Sequence, residues 1–123
     1  MLYSAYVAAA LSLLLVTLSL NISRLRLAHK ISFGDGGIKE LMLAVRAHGN
    51  SLEQSVIFIL LFYFSETNAH VDPRIALALG SAFVLTRIIY CAALFKRMLP
   101  IRQIAHAMTL LLQIATAVII LVR

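Results

Sequence analysis

Residues 2–22 contain no charged side chain, and an uncharged apolar stretch of that length has few ways to fold. A helix rises about 1.5 Å per residue, so about 20 residues cross a hydrocarbon layer roughly 30 Å thick. Apolar stretches of this kind recur after each short polar link. Of all residues 62% are hydrophobic and 13% charged, and the mean hydropathy is +0.95. Soluble domains lie nearer half apolar and a quarter charged. The expected fold class is therefore an all-α integral membrane protein, in which each helix satisfies its own backbone polar groups. The 123 residues fill four spans in contact with a lipid bilayer and leave no room for a separate soluble domain.

The first span lacks the positive start and small-residue cleavage pattern of a removable signal, so it is expected to be retained. Arg24, Arg26 and Lys30 follow it, and Phe33-Gly34-Asp35-Gly36-Gly37 is strong turn chemistry. Asp72-Pro73 marks a second link and Lys96, Arg97 and Pro100 a third. The pattern predicts one domain over residues 1–123, with helices at about 2–27, 38–66, 74–96 and 101–122.

The net charge of +6 would point to nucleic acid in a soluble protein, but here the basic residues gather at span ends, where they set orientation. No nucleic-acid partner is expected. Arg24, Arg26, Lys30 and Lys39 flank the first link and Lys96, Arg97 and Arg102 the third, whereas the second holds Arg74 alone. Both termini are therefore expected on the non-cytoplasmic side. A single cysteine, Cys91, excludes an internal disulfide and a multi-cysteine metal site. Without a histidine or carboxylate–histidine pair at ligand spacing, no metal is expected.

Ionisable side chains within a span are costly and mark functional sites by default. Arg46, Asn50 and Glu53 fall at i, i+4 and i+7 and share one face of the second helix. His48 lies about 200° round from Arg46, off that face. Arg87 and Tyr90 sit one turn apart in the third helix, and Arg102, His106, Thr109, Gln113 and Thr116 form a polar stripe down the fourth. Counted from the cytoplasmic span ends, Glu53 is about 18 Å deep and Arg87 about 12 Å deep, so the two are expected to meet. Arg24, Arg46 and Arg102 fall within about 8 Å of the same end, which predicts one guanidinium-rich cavity in the cytoplasmic half. Arginine forks hold carboxylates, while Glu53 and Asn50 offer acceptors for an ammonium or amide group. The expected guest carries several carboxylates and one amine. Also open on these residues are a structural Glu53–Arg87 pair, Arg24 and Arg102 as orientation or headgroup residues, and the fourth helix's hydroxyls and Gln113 as interhelical glue.

The run Arg46-Ala47-His48-Gly49-Asn50-Ser51-Leu52-Glu53 resembles the second-helix signature of the MAPEG superfamily, membrane-associated proteins in eicosanoid and glutathione metabolism. Arg24-Leu25-Arg26, Arg87 with Tyr90, and Pro100-Ile101-Arg102 follow in the family's order, and the Phe-Gly-Asp-Gly-Gly loop is similar to that of a small bacterial branch. The resemblance implies a homotrimer of four-helix subunits in a bacterial inner membrane, with glutathione bound between neighbouring subunits. By it, Arg24, Arg46, Asn50, Glu53, Arg87, Tyr90 and His106 hold glutathione, and Arg102 is the catalytic residue that stabilises the thiolate. A lipophilic small molecule is the expected second substrate. The chain differs from some members at Leu94, where a tyrosine stands, and at Gln103, where prostaglandin synthases have serine. Two other classes stay open on sequence: a small proton-coupled multidrug transporter built around Glu53, and a non-catalytic trimeric membrane scaffold.

Overall fold

The computed structural model describes residues 2–122. Four helices follow in order: α1 (Tyr3–His29), α2 (Lys39–Thr67), α3 (Pro73–Phe95) and α4 (Leu99–Val122). α1, α3 and α4 are long and apolar enough to cross a membrane. α2, at 29 residues, is long enough, but Arg46, Asn50, Glu53 and Gln54 dilute its hydropathy. The one helix that departs from a lipid-like composition carries the family-like run.

Local chemistry sets the ends. α1 continues to His29 and stops where Lys30 turns left-handed at φ 55°. In the following loop Gly34, Gly36 and Gly37 all take positive φ, which side chains resist. Asp35 there accepts a hydrogen bond from the Gly37 N–H at 2.8 Å. Asp72 caps α3 by accepting from the Arg74 N–H at 2.8 Å, and Pro73 occupies the first turn. α4 starts at Leu99, two residues before the expected Ile101, because Pro100 fits a first helical turn that needs no amide donor.

α2 and α3 form the centre of the bundle. α1 packs on one side of them and α4 on the other, and α1 and α4 do not touch. One half of the core is aromatic: the Phe58 and Phe83 rings stack with centroids 3.8 Å apart, and Phe62 adjoins Phe58 at 5.4 Å. Gly80 lets α1 approach α3, since a Cβ there would sit 2.7 Å from Val7 Cγ2. The other half, nearer the basic links, packs Leu18, Ala47, Tyr90, Cys91 and Leu94. Outside the core, large apolar residues such as Leu13, Leu85, Ile104 and Leu111 are exposed in rows along the helices. Water would disfavour so much open hydrocarbon; lipid tails accept it.

Candidate functional site

Arg87 is fully buried, 0% exposed, between α2, α3 and α4. Its guanidinium donates to Asn50 Oδ1 at 2.6 Å, Ser51 Oγ at 2.9 Å and Thr109 Oγ1 at 3.3 Å, and lies 4.4 Å from the centre of the Tyr90 ring. Neutral acceptors and a π-face thus share the desolvated charge. Among the described residues no carboxylate reaches it.

The expected Glu53–Arg87 contact is not formed. Glu53 is exposed and makes no ion pair or hydrogen bond among the described residues. Helix geometry explains this, since Asn50 and Ser51 lie about 100° apart and Arg87 enters between them. Glu53 projects some 60° to the far side of Asn50. Depth alone could not have shown this, because residues seven apart share a face only to within tens of degrees.

Arg87 also determines what Asn50 can do. An arginine only donates hydrogen bonds, so the Asn50 carbonyl oxygen must face it and the amide NH2 is left for other partners. Asn50 therefore presents donors, which suit a carboxylate, and not the acceptor anticipated for an ammonium group.

On the outer side of this network Arg46, Asn50, Tyr90, Arg102 and His106 line one cleft of about 350 Å³ between α2, α3 and α4. Arg46 is exposed and Arg102 half-buried, and neither has an ion-pair partner among the described residues. His106 stands 6.3 Å from Tyr90, ring centre to ring centre, and its buried Nδ1 has no partner. Two unpaired guanidiniums and an amide donor give this cleft the chemistry suited to an anion. Gln103, Ala107 and Leu110 complete it.

The remaining expected site residues lie elsewhere. Arg87 is behind the cleft wall. Arg24, on α1, sits across the bundle in another cavity with Asn21, Glu40 and Arg97. It is bonded to Asn21 Oδ1 at 2.9 Å and lies 3.8 Å from Glu40. Arg24 and Arg102 line different cavities, with Arg97 bordering both, whereas the sequence predicts one shared cavity. The fourth helix's polar stripe divides by depth. Arg102 and His106 face the cleft, Thr109 accepts from Arg87, and Gln113 donates to the Gln54 side chain at 2.7 Å, tying α4 to α2.

Two residues escaped the sequence reading. Ser51 lies inside the quoted run but off its polar face, and it bridges Arg87 to Cys91 Sγ at 3.3 Å. Glu66, at the end of the expected second helix, places its carboxylate against the first N–H groups of α1, those of Tyr3 and Ser4, both at 2.7 Å. No three histidine, cysteine, aspartate or glutamate residues gather into a metal-holding group among the described residues.

The model of the MAPEG family matches residues 4–122. The chain belongs to the MAPEG family. Among curated proteins it is similar to the inner membrane protein YecN of Escherichia coli K12 and of Escherichia coli O6:H1. Each is 43% identical over 65 residues, which is 53% of this chain and 50% of the relative. The chain thus spans about half the length of the curated relatives it matches. Membership makes it an integral membrane helical bundle of a family tied to eicosanoid and glutathione metabolism. Both the α2 signature and the α4 arginine lie within the matched residues.

Proposed function

We propose that this MAPEG protein binds glutathione in the α2–α3–α4 cleft and either joins its sulfur to a lipophilic electrophile, the thiol proton and any leaving group being released, or reduces a lipophilic hydroperoxide to the alcohol and water while two glutathiones are oxidised to the disulfide. The observation that carries this reading is the meeting of Arg46, Asn50, Tyr90, Arg102 and His106 in one cleft whose free groups are mainly donors. Arg46 and the Asn50 amide hold carboxylates, Tyr90 and His106 wall the site, and Arg87 is a positioning residue behind them. Bound there, glutathione supplies the nucleophilic sulfur. The Arg102 guanidinium favours the charged thiolate over the thiol and so raises nucleophilicity at neutral pH.

Glu53 and Arg24 complete the site across a homotrimer interface. Glu53, three residues beyond Asn50 on α2, holds the ammonium group, and a neighbouring copy brings its Arg24 to the open side. This accounts for both lying on exposed surface of the single chain. The inner membrane is the expected location, as in the name of the YecN relatives, with both termini outside the cytoplasm.

The test is the ultraviolet thiolate difference spectrum of glutathione added to the purified protein. Wild type is expected to develop the thiolate band at neutral pH and Arg102→Leu to lose it while still binding. An undiminished band in Arg102→Leu removes the role given to Arg102. One observation favours a second reading: Glu53 has no arginine partner among the described residues, as a proton-coupled exporter would require. Proton-driven transport in liposomes, abolished by Glu53→Gln, would establish that alternative.

A further inference from the structure

Beside the cleft, a second cavity of about 280 Å³ opens between α2, the α3–α4 turn and the start of α4. Lys39, Arg46, Arg97 and Arg102 line it, and no carboxylate does. Its floor is apolar, made by the buried Leu43, Ala93 and Leu94. Met98 and Leu99, 41% and 50% exposed, also line it and leave apolar surface open beside the basic residues.

Charge and polarity together select the occupant. Inside this cavity an uncharged lipid would leave its cations facing no anion, even though Arg46 and Arg102 are shared with the cleft and Arg97 also borders the cavity that holds Glu40, and a small soluble anion would leave the apolar floor wet. An anionic head on a hydrocarbon tail satisfies both. We propose that this cavity binds the phosphate headgroup of an anionic phospholipid from the leaflet at the basic end of the bundle.

The backbone supports a dedicated place for Arg97. It takes φ 55°, a conformation that glycine adopts with less strain. The Arg97 N–H donates to Leu94 O at 3.2 Å and the Met98 N–H to Ala93 O at 2.8 Å, closing α3 as a six-to-one turn. A glycine would close that turn as well but carry no charge to the cavity. Lys39 and Arg97, which the sequence reading counted only as orientation signals, thereby gain a binding role. The proposal does not depend on the glutathione reading, and its variants avoid Arg46 and Arg102, which line both cavities.

The experiment is native mass spectrometry of the purified protein in mild detergent, offered phosphatidylglycerol or phosphatidylcholine of identical acyl chains. Phosphatidylglycerol is expected to be retained several-fold more. The Lys39→Gln, Arg97→Gln double variant should lower that retention about twenty-fivefold, at about fivefold per cation. Lys39→Arg with Arg97→Lys should preserve it, and Arg74→Gln, at the opposite end, should leave it unchanged. Should the double variant fail to fold, Lys39→Gln alone carries the test, with a drop of about fivefold expected. Equal retention of the two lipids overturns the proposal, as does undiminished retention in a folded glutamine variant. Displacement of the lipid by millimolar glycerol phosphate overturns it in favour of a soluble phosphate ligand.

Discussion

Asn50 is the residue whose chemistry changed most between sequence and structure. From the sequence it is one more polar group on the α2 face; in the fold its carbonyl oxygen is committed to Arg87 at 2.6 Å, which turns its amide donors outward. Asn50→Asp tests that assignment. A carboxylate there pairs with the buried guanidinium, so thermal stability in detergent should rise, while the lost donor and added negative charge should weaken anion binding about tenfold or more. Asn50→Ala instead leaves a charged donor short of a partner and should lower stability by about 1–3 kcal/mol. Arg46, Tyr90, Arg102 and His106 were legible as site candidates because each is a polar residue in or at the end of a span that also falls on the family-like pattern, although Arg102 alone could have served orientation and His106 helix packing. The Glu53–Arg87 pairing was misread because depth and face do not specify which neighbour a side chain meets. Ser51 was hidden because a serine in a membrane helix has many structural uses.

At the scale of elements, composition makes the helices plain while the contacts between them depend on packing. Four helices follow from apolar length and basic links, three of them apolar enough to span, and Asp72-Pro73 announces the start of α3. Nothing in the sequence signals that Glu66, at the end of α2, caps α1. Two carboxylate hydrogen bonds to otherwise orphaned N–H groups at a positive helix end predict that Glu66→Ala costs about 1–2 kcal/mol, measurable as a lower unfolding temperature without change in ligand affinity. Gly80 is likewise silent in the sequence. Its missing Cβ leaves room for Val7 and Phe62, so Gly80→Val should destabilise the bundle by about 1–3 kcal/mol through overpacking. The effect should show in the same melt and should leave the cleft's ligand specificity intact.

At the scale of the whole molecule, one chain gathers part of the proposed site and leaves Arg24 and Glu53 on open faces, which is why the proposal requires a trimer. Crosslinking in native membranes should trap three copies. Mixed oligomers make a sharper prediction: Arg24→Ala and Arg46→Ala each abolish glutathione binding alone, but co-expressed they should regain a fraction of it, because some interfaces then combine two intact halves. No recovery would place both arginines in one subunit's site or Arg24 outside it. The assembly was not legible from residue physics, since lipid-facing and subunit-facing apolar surfaces have the same composition.

The most direct test of the central claim is the melting temperature of the purified protein in mild detergent, titrated with glutathione, with Arg46→Ala alongside. A ligand that binds only the folded state stabilises it by RT ln(1 + [L]/Kd). The account predicts a rise that grows with concentration in the wild type and is absent in Arg46→Ala. A flat response of the folded wild type up to several millimolar, or an equal rise in the variant, would contradict it.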